Sequence, residues 1–431
     1  MDIVILILGL ALIALLFISG APMFVAFFAG CIPILLWYCD WNLVSIADLS
    51  INAVSSYTLI AIPLFVFLGN IMGAGGAAGA LFDLIRAWVG HIRAGLGIAT
   101  VMASAAFGTM CGSGVATALA IGSVAAPQLE KAGYKKGEIA AICAASGGLG
   151  IMIPPSVGAI LLAELTGVSV ARLFIAGVVP GLLAMTALSI TCYIRLRNDI
   201  TIEKAPRATW KQRNQALIHA LPALIIPLVL FLVILMGIAT PTEAAGVACV
   251  VGLIVSYVFY KQLTFEKLKV AIFGTVRVTA AVFCVIAGAV VFGRVLAFKG
   301  IPQMISSWTA TAGLSEIGFL FLFIAVFFLL GLIFDAFALM YIALPVALPT
   351  AVAFGMDIAA FCMLFHFCYI VGQLTPPVCI TLYAAAAGVG ANSEDAIKKA
   401  MPYLIAMVIC AVIVIFWPEM TVILPNLLGL Y

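Results

Sequence analysis

Apolar residues follow one another in long runs along almost the whole chain, and charged residues are confined to short segments between these runs. Many of the runs reach the length of about 20 residues that a helix needs to cross a bilayer. The first run, residues 3–19, lacks a basic flank, which favours a first membrane span over a cleaved signal peptide. The pattern predicts an all-α polytopic membrane protein.

Composition agrees with this class and excludes several others. The chain is 66% hydrophobic and 9% charged, far from the averages of soluble proteins. Its eleven cysteines are scattered without a CxxC pair, and its three histidines lack metal-ligand spacing. The sequence therefore predicts no disulfide framework, no transition-metal site and no zinc enzyme. The net charge of +3 gives no reason to expect nucleic-acid binding.

One set of backbone-shaping residues occurs twice at a fixed spacing of 222 positions. Glycine and proline set backbone dihedrals, so a repeated set of them indicates a repeated backbone path. Interruptions at matching places in two halves are a sequence signature of the binding site of a secondary transporter. The first set consists of Pro127, Gly133, Gly150, Pro154, Pro155 and Pro180, and the second of Pro349, Gly355, Gly372, Pro376, Pro377 and Pro402.

Lys and Arg mark the cytoplasmic ends of membrane spans. Six basic residues crowd the linker between residues 195 and 213, which we therefore expect to be cytoplasmic. Counting spans from this linker, residues 96–126 begin and end on the inside, and residues 318–348 begin and end on the outside. Both stretches are predicted to be re-entrant helical hairpins, so the two copies form an inverted-topology repeat. A parallel duplication is the competing interpretation, and the charge asymmetry argues against it.

This topology predicts about ten spans and four parts of the chain, with both termini periplasmic. Residues 1–56 form N-terminal scaffold spans, and residues 195–269 form the cytoplasmic linker and further scaffold spans. Repeat 1 covers residues 57–194, with a broken helix at about 139–165. Repeat 2 covers residues 270–431, with a broken helix at about 358–384.

The hairpin tips and the helix breaks contain the candidate site residues. Ser113 at the first tip and Asp335 at the second can each cap the returning helix. The Pro-Pro pairs remove backbone donors, which predicts that the carbonyl groups of Gly150 and Gly372 lose their helical partners. Carbonyl oxygens beside the hydroxyl of Thr375 suit a small hard cation such as sodium. The alternatives are simple capping at the tips and simple proline kinks at the breaks.

Three other residues have structural interpretations that we favour over functional ones. Thr240 and Glu243 fit a capping box better than an intramembrane acid motif. His366 is predicted to be a hydrogen-bonded packing residue and not a proton relay. Ile153 takes the place of Thr375 in the first repeat, so the first site would depend more on carbonyl groups.

The chain resembles the large membrane subunit, or M component, of tripartite ATP-independent periplasmic (TRAP) transporters, which is the DctM-like family. The similarity runs through nearly the whole chain in family order. It is strongest at residues 62–70, 107–117, 127–134, 147–156, 173–181, 240–244 and 372–378. The residue Cys111 departs from the small hydroxyl residue that many members have at this place.

The resemblance implies an elevator-type symporter of the bacterial inner membrane, driven by sodium, that imports an organic acid such as a dicarboxylate or sialic acid. Its partners would be a small four-span membrane subunit on a separate polypeptide and a periplasmic substrate-binding protein. The sodium sites would involve Gly112, Ser113, Gly150, Pro154, Pro155, Gly331, Asp335, Gly372, Thr375 and Pro376. Gly114, Thr117 and Ser156 are candidates for contacts with the substrate.

Two other functions compete with this one. A stand-alone sodium/anion symporter of related inverted-repeat design would need no binding protein. A membrane-embedded enzyme would need a cluster of polar catalytic residues at one depth, and the sequence offers none.

Overall fold

The computed structural model describes residues 2–39, 41–331, 336–377 and 379–430, and all of the regular structure in these ranges is helical. The chain begins with α1 (Asp2–Ile18), α2 (Met23–Tyr38), α3 (Leu43–Val54), α4 (Ala61–Ala74) and α5 (Ala77–Val89). A helical hairpin follows, formed by α6 (Gly95–Cys111) and α7 (Gly114–Lys131). Next come a broken helix and a long helix, which comprise α8 (Lys136–Gly147), α9 (Leu149–Met152), α10 (Val157–Thr166) and α11 (Val170–Leu196).

The second half repeats this order after a linker. The linker leads to α12 (Trp210–Leu235), α13 (Pro241–Ile254), α14 (Phe265–Phe298) and α15 (Ile301–Thr311). The second hairpin consists of α16 (Glu316–Gly331) and α17 (Ala336–Ala353). The second broken helix and the C-terminal helices are α18 (Ile358–Leu374), α19 (Ile380–Val389), α20 (Ser393–Phe416) and α21 (Glu419–Leu427).

The helix boundaries follow the same spacing as the glycines and prolines. Adding 222 to the bounds of α7, 114 and 131, gives 336 and 353, which are the bounds of α17. The starts of α8 and α18, at 136 and 358, are related in the same way. The repeated backbone path predicted from glycine and proline is therefore present in the fold.

Two ion pairs place the starts of the equivalent helices α8 and α18 relative to the long helix α11. The helix α11 has 27 residues and is therefore about 40 Å long. Near its C-terminal end, Arg195 donates to Glu138 at the start of α8, with an N–O distance of 2.7 Å. Near its N-terminal end, Arg172 donates to Asp357 at the start of α18, at 2.6 Å. The equivalent helices α8 and α18 thus begin at opposite ends of α11.

Five described helices are long and apolar enough to span a membrane, namely α11, α12, α13 with its extension to Phe259, α14 and α20. Two bent pairs would each qualify as one span. They are Leu43–Val54 with Thr58–Ala74, bent by 57°, and Lys136–Met152 with Val157–Thr166, bent by 43°. The other predicted spans correspond to shorter apolar helices, so the total of about ten stays a prediction.

Repeat 1 was predicted to begin with one membrane span at about residues 57–80, and the C-terminal end of that span is wrong. The helix α4 ends at Ala74, and Gly76 follows with a φ of 103°, a conformation that glycine adopts without strain. The chain turns there and enters the separate helix α5. The helix α3, which the sequence did not predict, forms the first half of a bent span with α4.

The capping box predicted at Thr240 is confirmed. The Thr240 hydroxyl accepts the Glu243 N–H at 3.3 Å, and the Glu243 carboxylate accepts the Thr240 N–H at 2.8 Å. Both orphan donors at the start of α13 are satisfied in this way. The Glu243 carboxylate therefore serves as part of the N-terminal cap of its own helix.

Candidate functional site

The first hairpin turns at a glycine and a serine, as the sequence predicts. Gly112 follows α6 with a φ of 60°, and its N–H donates to the Gly108 carbonyl at 2.8 Å. Ser113 caps α7, because its hydroxyl accepts the Ala116 N–H at 3.5 Å. The predicted capping role of Ser113 is confirmed.

The first helix break leaves one carbonyl without a helical donor. Gly150 would normally be bonded by the N–H of the residue four positions on, which is Pro154 and has none. The Ile153 N–H instead donates to Leu149 at 2.8 Å. The Pro154–Pro155 bond is cis, and Ser156 caps α10 by accepting the Ala159 N–H at 3.1 Å.

The tip and the break of the first repeat touch each other. The Val157 N–H donates to the Gly112 carbonyl at 3.4 Å. The Cα atoms of Gly108 and Gly150 lie so close that a Cβ on either glycine would collide with the other backbone. A Cβ on Gly150 would also lie 2.6 Å from the Thr117 hydroxyl. Five predicted sodium-site residues, Gly112, Ser113, Gly150, Pro154 and Pro155, therefore belong to one compact region.

Cys111 and Thr117 form a buried polar pair beneath this tip. The Cys111 sulfur lies 3.1 Å from the Thr117 hydroxyl and 3.3 Å from the Ser113 carbonyl oxygen. Thr117 and Ser156 are both fully buried, and neither lines the cavity that lies against the two helix breaks. Gly114, in contrast, lies on the cavity wall.

The second break differs from the first in its hydrogen bonding. The helix α18 ends at Leu374, and the Thr375 N–H donates to the Gly372 carbonyl at 3.3 Å. The prediction that this carbonyl loses its partner is wrong, because the last turn tightens to a bond between residues three apart. The Thr375 hydroxyl donates to the Val371 carbonyl at 2.7 Å, and the Pro376–Pro377 bond is cis.

The end of α16, at the tip of the second hairpin, approaches the second break, as in the first repeat. A Cβ on Gly331 would lie 3.7 Å from the Cα atom of Gly372. The predicted site residue Asp335 lies outside the described residues. Gly331, Gly372, Thr375 and Pro376 are thus brought to one region, and the contribution of Asp335 stays a prediction.

A cavity of about 570 Å³ lies against the two breaks and is large enough for a small organic molecule. Residues at the starts of four helices line it, namely Gly114 of α7, Val157 of α10, Phe337 of α17 and Ile380 of α19. The first N–H groups of a helix lack partners inside the helix, and the helix dipole places positive potential there.

Neutral polar side chains complete the cavity wall. They are Asn70, Ser113, Ser123, Tyr369 and Gln373, and no described residue that lines the cavity is charged. Asn70 belongs to α4 and donates to the Thr275 hydroxyl of α14 at 3.0 Å. Asn70, Tyr369 and Gln373 were not singled out from the sequence. Gln373 alone carried a usable signal, because it stands within the second repeated motif.

The predicted hydrogen bonding of His366 is wrong. Its side chain is fully buried in α18, and neither ring nitrogen has a hydrogen-bond partner. The Nε2 atom lies 2.5 Å from the position that a Cβ on Gly158 would occupy. Apolar packing between α18 and α10 excludes the polar groups that the histidine would need.

Comparison with known proteins identifies the family. The family profile described as "Tripartite ATP-independent periplasmic transporter, DctM component" matches residues 3–420, which is nearly the whole chain. The chain belongs to the DctM family. This DctM-family chain is a multi-pass membrane permease and not an enzyme.

Individual relatives of this DctM chain have different named substrates. The C4-dicarboxylate TRAP transporter large permease protein DctM of Pseudomonas aeruginosa is 35% identical over 402 residues, covering 93% of this chain and 94% of that protein. The ectoine/5-hydroxyectoine large permease protein UehC of Ruegeria pomeroyi is 31% identical over 415 residues, covering 96% of each chain.

A solved structure has the same fold. The YdaH transporter of Alcanivorax borkumensis superimposes with a TM-score of 0.60 at 17% sequence identity, covering 89% of this chain and 90% of that chain. At this identity the likeness extends to the fold alone. It agrees with the all-helical membrane-transporter architecture predicted from the sequence.

Proposed function

We propose that this chain is the large permease subunit of a sodium-coupled TRAP transporter that imports a small organic carboxylate. The observation that carries the proposal is the convergence of four helix starts on one cavity beside the two breaks. The named substrates of the relatives, which include C4-dicarboxylates, agree with a carboxylate.

A comparison of free energies favours an anion in this cavity. A charge at the centre of a bilayer costs about 2.5–3.5 kcal/mol or more. One helix N-terminus returns up to about 2 kcal/mol in favourable geometry. The starts of α7, α10, α17 and α19 together therefore offset the cost of one carboxylate. Bound cations next to the cavity would lower the cost further.

Sodium would be held at the two places where a hairpin meets a break. The first site is assigned to the carbonyl groups around Gly112 and Gly150, with Ser113 and the Pro154–Pro155 break beside them. The second is assigned to Gly331, Gly372, Thr375, the Pro376 break and Asp335. Oxygen ligands of this kind suit a hard cation.

The starts of α8 and α18 at opposite ends of α11 support an inverted repeat in the membrane, with the hairpins re-entrant and the site carried by an elevator-type movement. The basic linker supports a cytoplasmic position for residues 195–213 in the inner membrane, and this orientation would put both termini in the periplasm. A small four-span subunit and a periplasmic binding protein would complete the transporter, the latter delivering the substrate.

We expect uptake to need sodium and not ATP, because the chain has no phosphate-cradling GxxxxGK[ST] loop. The complete transporter, reconstituted in proteoliposomes, should lose uptake when an imposed sodium gradient is removed. Uptake that persists with only a proton gradient would contradict sodium coupling. Uptake that is independent of the binding protein would favour the alternative, a stand-alone sodium/anion symporter.

Orientation can be tested by labelling, in a background whose native cysteines have been replaced. A membrane-impermeant thiol reagent added outside should label Met356→Cys, beside Asp357, and should not label Lys135→Cys. The two positions lie just before the equivalent helices α8 and α18, so the pair is matched. Labelling of both from one side would end the inverted arrangement.

A further inference from the structure

Gln373 occupies a distinctive place between the two repeats. It follows Gly372 in the last turn of α18 and lines the cavity. Its carbonyl oxygen Oε1 lies 2.9 Å from the position that a Cβ on Gly114 would occupy, at the start of α7. The side chain therefore reaches from the second break to the first hairpin, and it lies close against the glycine at position 114.

Two hydrogen bonds fix the orientation of the Gln373 amide. The Nε2 group donates to the Tyr369 hydroxyl oxygen at 3.1 Å, one helical turn back. Oε1 accepts a hydrogen bond at 2.7 Å from the hydroxyl of Thr381, which belongs to α19 on the other side of the break. A primary amide has two N–H donors and two acceptor positions. These bonds use one of each, which leaves one N–H and one lone pair for a ligand.

The first repeat has no counterpart of this cluster. Subtracting 222 from positions 369, 373 and 381 gives Gly147, Ile151 and Ala159, none of which has a polar side chain. The backbone path around the first break forms without such a cluster, and so do the contacts between that break and its hairpin tip. Gln373 is therefore not required by the repeated architecture. A group that is present once suits a ligand that is bound once, which is the substrate.

We propose that Gln373 is a specificity-determining residue that binds a neutral hydrogen-bonding group of the substrate, such as a hydroxyl. This inference rests on the function proposed above. The helix starts attract the carboxylate, and the amide offers both a donor and an acceptor, as a hydroxyl does. A substrate without that group leaves the remaining amide positions unpaired, and a site built for a hydrogen bond strongly rejects such an analogue. The permease therefore prefers a hydroxy-carboxylate over the same carboxylate without the hydroxyl.

Succinate and L-malate are suitable probes, because they differ by one hydroxyl. The permease, purified with its small membrane subunit, is titrated with each in the presence of sodium while its Tm is followed. Omitting the binding protein ensures that the permease itself is measured. Wild type should respond to malate at a lower concentration than to succinate.

Replacement of the amide should remove this preference. In Gln373→Leu, which keeps an apolar side chain of similar bulk without the amide, the half-saturating malate concentration should rise about five- to a hundred-fold through loss of one hydrogen bond. The half-saturating succinate concentration should fall, because the variant has no amide left unpaired by succinate. The half-saturating sodium concentration should be unchanged. Thr381→Val removes the hydrogen bond that holds the amide and keeps the amide itself. This variant should also raise the half-saturating malate concentration, by a smaller factor.

Ser123→Ala is the matched control. The Ser123 hydroxyl donates to the Ala120 carbonyl of its own helix at 2.8 Å, and Ser189→Ala is a second control outside the cavity, where the hydroxyl donates to the Met185 carbonyl at 2.8 Å. Both variants should keep the preference for malate. Loss of the preference in Ser123→Ala alone would show that Ser123 also contacts the substrate. Equal responses of wild type to both probes, or a Gln373→Leu variant that still prefers malate, would overturn the inference. Failure of the proposed function would appear separately, as wild-type uptake that does not depend on sodium.

Discussion

Gly108→Ala is expected to reduce sodium-driven uptake to near background. The added Cβ would overlap the Cα atom of Gly150, so one backbone would have to move away from the other. Overpacking of this kind costs about 1–3 kcal/mol, and here it separates the hairpin from the break that would form the first sodium site. The rate of uptake and the rise in Tm on adding sodium would both report the effect.

Gly122→Ala is the control for this substitution. Gly122 lies on the adjoining helix α7, and a Cβ there would make only an ordinary contact, 3.6 Å from the Cys143 sulfur. This variant should insert, fold and transport as the wild type does. Gly108→Ala with normal uptake and a normal sodium response would show that the close approach of the two glycines has no part in the site.

Thr375→Ala is expected to raise the sodium concentration that gives half-maximal uptake by about five- to a hundred-fold, the worth of one lost polar contact. The Thr375 hydroxyl donates its hydrogen to the Val371 carbonyl, so the lone pairs of its oxygen are available to a cation. The measurement is the sodium dependence of uptake by proteoliposomes with equal amounts of inserted protein.

The first repeat provides the control for Thr375. Ile153 holds the equivalent position and packs against Gly181, without a hydroxyl. Ile153→Ala should change packing and leave the sodium dependence nearly unchanged. A correctly inserted Thr375→Ala variant with wild-type sodium dependence would mean that the second break is only a kink.

Local chemistry explains which predictions from the sequence are confirmed. The caps at Ser113 and Thr240 involve residues three positions apart, so their geometry follows from the helix itself. The repeated glycines and prolines predicted where helices break, because they act on their own backbone. The same reasoning failed at Gly372, whose carbonyl accepts a bond from Thr375 after a small local tightening.

Long-range contacts were beyond the reach of the sequence. His366 was predicted to be hydrogen-bonded, and burial between α18 and α10 left it without a partner. The amide of Gln373 accepts a hydrogen bond from Thr381 across a break and lies beside Gly114, which is 259 residues away. Nothing in the local sequence indicates such a meeting.

By itself, the sequence determined the membrane class, the repeat and the places where helices end, because hydropathy, glycine and proline act locally on each segment. Only the tertiary structure decided which ends meet. It brought the starts of α7, α10, α17 and α19 to one cavity and set α8 and α18 at opposite ends of α11. These arrangements depend on packing between segments that are not neighbours in the sequence, where shape complementarity over many side chains decides the partner.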